Sequence, residues 1–214
     1  MWTLDPIDGT KGFLRGEQYA VCLALIVDAK VQLGVIGCPN LSQDGSKPDG
    51  PKGCMFVAVR GQGAEQMSLS GANPVPVKIP TFSDDDLNML ESVEAAHSSH
   101  SFNHRVSQLL NITKSPTRMD SQAKYCALSR GDGGIYLRLP ATSGYVEKIW
   151  DHAPGSLLVE EAGGVITDAH GLPLNFGLGR ELRGNHGVVA AGESTHGKVL
   201  AAVKRALEEG KSKV

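Results

Sequence analysis

Residues 17–40 read EQYAVCLALIVDAKVQLGVIGCPN, and the first half of the fold follows from them. Val21, Leu23, Leu25 and Val27 alternate with small or apolar residues, Asp28-Ala29-Lys30 supplies a turn, and residues 31–36 return as a second strand. A hairpin of this kind suits an antiparallel sheet with one face well covered. Downstream, LSQDGSKPDGPKG (41–53) reads as a mobile surface loop, and CMFVAVRGQGAEQM (54–67) as a strand, a glycine turn and a short returning strand.

The rhythm then changes. SGANPVPVKIPTFS (70–83) is rich in proline and reads as an extended connection between two halves, which places a boundary between residues 1–82 and 83–214. LNMLESV (87–93) predicts a strand. SFNHRVSQLL (101–110) predicts a helix with Val106, Leu109 and Leu110 on one side. SQAKYCALSRG (121–131) predicts a second helix stopped by Gly131, followed by the strand GIYLRLP (134–140). DHAPGSLLVEEAGG (151–164) predicts a helix with Leu157, Leu158 and Ala162 inward, ended at Gly163-Gly164. VITDAHG (165–171) and HGVVAAG (186–192) predict short strands. The last helix, 193–210, lines up Val199, Leu200, Val203 and Leu207. The expected fold class is α/β, an antiparallel α+β half followed by an α/β half.

Composition excludes several classes of function. The 214 residues are 41% hydrophobic and 21% charged, as in ordinary globular chains, so a core of real size is within reach. A formal net charge of −2 argues against wrapping a nucleic-acid polymer but leaves room for a basic pocket that takes a phosphorylated metabolite. No apolar run reaches the roughly 18 residues that would span a bilayer. Cys22, Cys38, Cys54 and Cys126 form no zinc-type spacing and read as reduced, buried thiols. The residues before the first apolar run are acidic where a secretory leader is basic, and the expected compartment is the cytoplasm.

The chemistry-bearing stretches are DPIDGT (5–10) and EKIWDHAPGSLLVEEAGG (147–164). In the first, Pro6 fixes its own φ and biases Asp5 to an extended conformation, so the chain bends between two carboxylates. Asp5, Asp8 and the Ile7 carbonyl can then face one small space, a hard-oxygen set that suits Mg²⁺. Gly9 permits a tight turn, and Thr10 begins a short helix with its hydroxyl free. In the second, Asp151 stands at a predicted helix N-terminus, where Asp commonly caps and where the helix end favours anions. Taken singly, each reads as readily as local structure: a turn, an N-cap, or, for Lys124 and Arg138, ordinary surface charge.

Together, Asp-Pro-Ile-Asp-Gly-Thr and the later Trp-Asp-His-Ala-x-Gly resemble the signature pair of the lithium-sensitive, magnesium-dependent phosphatase superfamily that includes the inositol monophosphatases. The stretches WTLDPIDGTKGFLRGEQYAVCLALI, GVIGCPNL, AVRGQGA, HSSH, DSQAKYCALSRG, YLRLP and EKIWDHAPGSLLVEEAGGVITD are similar to its eukaryotic 3'(2'),5'-bisphosphate nucleotidase branch, from Trp2 to about Gly192. Lys11-Gly12-Phe13 departs from the Asn-Phe pair more usual in inositol phosphatases.

The resemblance implies a layered sugar-phosphatase-type sandwich. It also implies metal ligation by Asp5, the Ile7 carbonyl, Asp8 and Asp151, with Asp8 close to the chemistry. Thr10 would orient water and contact substrate, and Asp151 would lie against substrate as well. His97, Ser121, Lys124 and Arg138 would contact the nucleotide. The cofactor would be Mg²⁺ at two or more sites. The reaction would be hydrolysis of the 3'-phosphate of adenosine 3',5'-bisphosphate, or of 3'-phosphoadenosine 5'-phosphosulfate, with a link to sulfate assimilation and inhibition by lithium.

Two departures stand out. Pro154 replaces an alanine, which a helix's first turn tolerates. Family members also carry helices and acidic residues before the first motif, which here follows Met1-Trp2-Thr3-Leu4 directly. The chain is therefore expected to be the later part of a longer phosphatase, lacking its N-terminal helices and one metal-ligating Glu. On that expectation it would have weaker metal binding, slower chemistry and a tendency to self-associate, although the family is usually monomeric. The competing readings are an inositol phosphate phosphatase and a non-catalytic nucleotide-binding module.

Overall fold

The computed structural model describes residues 1–94, 99–139 and 145–211. Six strands, β1 (Trp2–Asp8), β2 (Ala20–Val27), β3 (Lys30–Ser42), β4 (Lys52–Val59), β5 (Gly63–Ser68) and β6 (Val75–Pro76), form one antiparallel sheet in sequence order. The β2–β3 hairpin closes through Asp28 (φ 48°) and Ala29 (φ 62°), with Val27 paired to Lys30. Two consecutive residues at positive φ match the twist of the flanking strands, which is why a two-residue loop serves here. The proline-rich segment is not wholly free of pairing, since β6 adds to the edge of β5.

The second sheet is mixed. Its strands are β7 (Met89–Glu91), β8 (Thr117–Arg118), β9 (Ile135–Arg138), β10 (Gly164–Thr167) and β11 (Val188–Gly192), in the order β10-β11-β9-β7-β8. Strands β8, β7 and β9 run parallel, and β10, β11 and β9 pair antiparallel. The helices are α1 (Thr10–Arg15), α2 (His100–Leu109), α3 (Ala123–Arg130), α4 (Ala153–Glu161) and α5 (Glu193–Lys211).

The layers follow from alternation along the strands. Tyr136, Val188 and Ala190 join α3, α4 and the first sheet in one buried core. Their neighbours Ile135, Leu137, Val189 and Ala191 face the opposite way, against α2 and α5 through Val106, Val199 and Val203. The order is thus sheet, helix pair, sheet, helix pair. Covered on both faces, the central strands of the second sheet carry apolar residues at consecutive positions, as in Ile135-Tyr136-Leu137 and Val188-Val189-Ala190-Ala191.

The covered face of β2 is the set interleaved with the bulkier alternating residues. Ala20, Cys22, Ala24 and Ile26 are buried, whereas Val21 and Val27 are exposed. Small side chains on the inner face let α4 approach closely. An ideal Cβ on Gly34 would lie 2.8 Å from the Pro154 carbonyl oxygen. The larger residues are left outside, where the register aligns Trp2 with Leu25 and Leu4 with Leu23. Trp2 and Leu4 keep 58% and 56% of their surface exposed, and a contiguous apolar strip of this kind binds hydrophobic probes. Replacing Trp2 and Leu4 together by Gln is expected to lower the fluorescence of a hydrophobic dye mixed with the native chain. Stability should change by less than about 1 kcal/mol, as for surface positions; undiminished dye fluorescence would place the apolar surface elsewhere.

Candidate metal and phosphate site

Strand β1 does not pair evenly with β2. Asp5 faces Cys22 and Asp8 faces Ala20, so three steps on one strand match two on the other. This bulge falls at Pro6, which cannot donate to the ladder, and it turns both carboxylates toward the same side. Gly9 then takes φ 80° and leads into α1. A Cβ there would be left-handed and 2.9 Å from the Ser121 Cβ, so only glycine fits between the motif and the segment before α3.

Asp151 arrives from the other half of the chain. It ends a single 3₁₀ turn, Ile149–Asp151, while His152 occupies the N-cap position of α4 without a side-chain cap. The N-cap reading of Asp151 is therefore corrected: its carboxylate is directed into the cleft instead of onto the helix end. Asp5, Asp8 and Asp151 present oxygens that lie within 4.8 Å of one another, the one such group of potential metal ligands among the described residues. Ile7, Thr10, Ser121, Lys124 and Arg138 line the same cleft.

The fit to a divalent cation rests on donors and charge. All three side chains are half-buried hard-oxygen donors. Burial, followed by the Asp151 charge, pushes the Asp8 carboxyl up to about 6, although Lys124 and the Gln122 N–H, which donates to Oδ2 at 2.5 Å, pull the other way. Burial likewise raises Asp5, against the Ile7 N–H that donates to it at 3.1 Å. Carboxylates that resist ionisation together share an uncompensated negative charge, which a cation relieves. The Thr10 hydroxyl is not free as expected; it donates to the Ile7 carbonyl at 3.3 Å.

Lys124 and Arg138 are not surface charges. The Lys124 side chain is buried, donates to the carbonyls of Met119 and Ser121 at 3.0 and 2.8 Å, and is held down to about 8 chiefly by burial. Arg138 makes a two-point pair with Glu147 at 2.9 and 2.8 Å and reaches Asp151 at 3.4 Å. Ser121 adopts φ 65° and its hydroxyl accepts from the Ala123 N–H, which shapes the turn into α3. His97 lies outside the described residues.

Three groups escaped the reading of single motifs. Asp120, buried beside Ser121, pairs with Arg15, which also meets Glu94 at 2.7 Å, while Lys11 meets Glu94 at 2.8 Å. Glu147 accepts from Arg138 and from His152 Nε2 at 3.0 Å. Tyr125 joins His152 Nδ1 at 2.7 Å inside the core. Burial alone would raise Glu147, but the His152 bond and the Arg138 charge bring it down to about 2. An ionised Glu147 only accepts, so Nε2 of His152 carries the proton, and in the neutral ring Tyr125 donates to Nδ1. No spacing rule links these residues, because they meet from separate elements.

A family model for the inositol monophosphatase family matches residues 1–208. The chain is 53% identical over 206 residues to a Schizosaccharomyces pombe protein named 3'(2'),5'-bisphosphate nucleotidase, covering 94% of this chain and 58% of that protein. An Oryza sativa protein of the same name is 46% identical over 215 residues, covering 97% and 60% respectively. The chain thus spans about three fifths of the length of the curated relatives it matches. Among solved structures, a Thermotoga maritima IMPase superposes with a TM-score of 0.71 at 21% identity, over 97% of this chain and 70% of that one. A Zymomonas mobilis inositol monophosphatase gives 0.68 at 22%, over 95% and 70%, and both likenesses speak to the fold alone. With both motifs converging in one cleft and the model matching nearly end to end, this chain belongs to the inositol monophosphatase family.

Proposed function

We propose that the chain carries the site of a 3'(2'),5'-bisphosphate nucleotidase, which hydrolyses the 3'-phosphate of adenosine 3',5'-bisphosphate to AMP and phosphate. The observation that supports this most is the convergence of Asp5, Asp8 and Asp151 beside Lys124 and Arg138, in a chain about half identical to proteins of that name. Asp5, Asp8, Asp151 and the Ile7 carbonyl would hold Mg²⁺. When bound, that ion offsets phosphoryl charge and lowers the pKa of water.

The chain's own residues do the rest. Thr10, whose hydroxyl proton goes to the Ile7 carbonyl, orients the attacking water by accepting from it and lies against the substrate. In the reaction a water oxygen bonds to phosphorus, the bond to the 3'-oxygen breaks, and that oxygen leaves with a proton. Lys124 and Ser121 position the second phosphate, and the Arg138 guanidinium, its charge offset by Glu147, adds hydrogen-bond donors at the cleft wall. The Lys124 ammonium on the cleft wall favours a doubly phosphorylated substrate over a singly phosphorylated inositol. A cytoplasmic setting agrees with four cysteines that are all free and buried, and among the described residues no helix is long and apolar enough to cross a membrane. Self-association through the open apolar face of the first sheet is the proposed assembly behaviour.

The test is phosphate release by the 214-residue chain from adenosine 3',5'-bisphosphate and from inositol 1-phosphate, each with Mg²⁺. Turnover of the nucleotide that exceeds the inositol ester, and falls at least ~10²-fold in Asp151→Asn, is the expected result. Preference for inositol 1-phosphate would reassign the substrate. Saturable AMP binding without turnover would make the chain a nucleotide-binding module.

A further inference from the structure

We infer that Glu147 is a positioning residue that holds Arg138 away from Asp151 and so leaves the Asp151 carboxylate available to a divalent cation. The inference rests on the metal reading of the three aspartates. Arg138 stands between two carboxylates. It meets Glu147 through two bonds, 2.9 and 2.8 Å, and Asp151 through one long contact of 3.4 Å. Charge-assisted bonds from arginine run about 2.7–2.9 Å, so the guanidinium is seated on Glu147 and only leans on Asp151.

Glu147 cannot follow Arg138 toward the cleft, because its Oε2, which also takes one arm of Arg138, is tied to His152 Nε2 at 3.0 Å, and that ring is tied in turn to Tyr125. All three of these side chains are buried. Its main chain is held as well, with the Leu182 N–H donating to the Glu147 carbonyl at 2.9 Å. The result is a neutral pair beside the cation position. Without the Glu147 charge, a full positive charge would remain about 3.4 Å from an oxygen that must face a dication. Arg138 would then close on Asp151 as its best remaining partner and occupy the ligand. A carboxylate that never touches the metal therefore sets the metal affinity, through the arginine it restrains.

Glu147→Gln keeps the shape and an oxygen for His152 but removes the charge. The experiment titrates Mn²⁺, as a spectroscopic stand-in for Mg²⁺, into the folded chain and follows free Mn²⁺ by electron paramagnetic resonance. Circular dichroism checks the fold, and no turnover is needed. Glu147→Gln is expected to weaken Mn²⁺ binding by about 10–100-fold, the usual range for groups that support metal ligands. The double variant Glu147→Gln with Arg138→Gln is expected to recover most of that loss, because the competing guanidinium is gone. A merely structural role predicts the opposite, with the double variant no better than the single. Arg138→Gln alone should bind Mn²⁺ at least as tightly as the unaltered chain, which keeps the test open if Glu147→Gln does not fold. Unchanged affinity in folded Glu147→Gln, or no recovery in the double variant, overturns the inference. Binding in the unaltered chain that Asp8→Asn does not diminish would instead overturn the metal reading, and this inference with it.

Discussion

Asp8→Asn is expected to stabilise the metal-free chain at neutral pH while removing its response to divalent cations. In the folded state the Asp8 carboxyl sits at about 6 against 3.8 when unperturbed, with burial as the main cause and the Asp151 charge next. Between those values the folded chain holds a proton that the unfolded chain has released. Stability contributed by this group is thus greatest below about 4, falls as pH rises through 6, and stays low above it. Two pK units correspond to roughly 3 kcal/mol of cost at pH 7. Asn removes the ionisation and still offers an oxygen to the Gln122 N–H, but its amide must find partners, so about 1–3 kcal/mol is expected back. In a chain of this size that is a rise in Tm of a few degrees.

The measurement is thermal unfolding at pH 5 and 7.5, with and without Mg²⁺. The unaltered chain should lose stability toward pH 7.5 and regain it on adding Mg²⁺, because a ligand that binds only the folded state stabilises it. Asp8→Asn should be flatter in pH and indifferent to the ion. A lower Tm in Asp8→Asn at pH 7.5 without metal would contradict the uncompensated-charge account of the cleft. A stabilised but inactive variant is the pattern expected where a site is maintained at the expense of the fold.

Gly34→Ala is expected to lower stability by about 1–3 kcal/mol, the usual cost of forcing one carbon into a packed core. Its Cβ would stand 2.8, 2.9 and 3.2 Å from the oxygen, Cα and carbonyl carbon of Pro154. All three are backbone atoms at the start of α4, so no side chain can rotate away. Either β3 or the helix must shift. Because Asp151 lies two residues before α4, that shift also changes its distance from Asp5 and Asp8 on β1. Weaker Mn²⁺ binding should therefore accompany the lower Tm. Gly37→Ala on the same strand is the control, since its Cβ would find nothing nearer than 3.9 Å. Equal Tm changes in the two variants would show that strand propensity, not the helix contact, sets the effect.

The hairpin at 20–42, the helix capped by Gly131, the helix that stops just before Gly163, and the last amphipathic helix were all legible as local patterns. Their signals are periodicity and turn chemistry, which act over a few residues. Local patterns of the same kind left one point open and misled at another, for a shared reason. Alternation along β2 reveals two faces but not which is covered, and the small set Ala20, Cys22 and Ala24 proved to be the inner one. A helix predicted from residue 151 suggested a cap at Asp151, but the helix begins at Ala153 and Asp151 ends a 3₁₀ turn, which leaves that carboxylate to the cleft.

By itself, then, the sequence determined that the chain forms antiparallel strands followed by alternating strands and helices, and that two aspartate-bearing motifs belong to one family's chemistry. Those properties reside in short-range preferences and in contiguous residues. Only the tertiary structure decided that Asp151 reaches the cleft from a 3₁₀ turn, that Lys124 is buried, and that Arg138 is divided between a cleft carboxylate and Glu147. The physical reason is that charge, burial and hydrogen-bond competition depend on distances in space. Here those distances are set by packing α3 and α4 between two sheets, and no spacing along the chain encodes them.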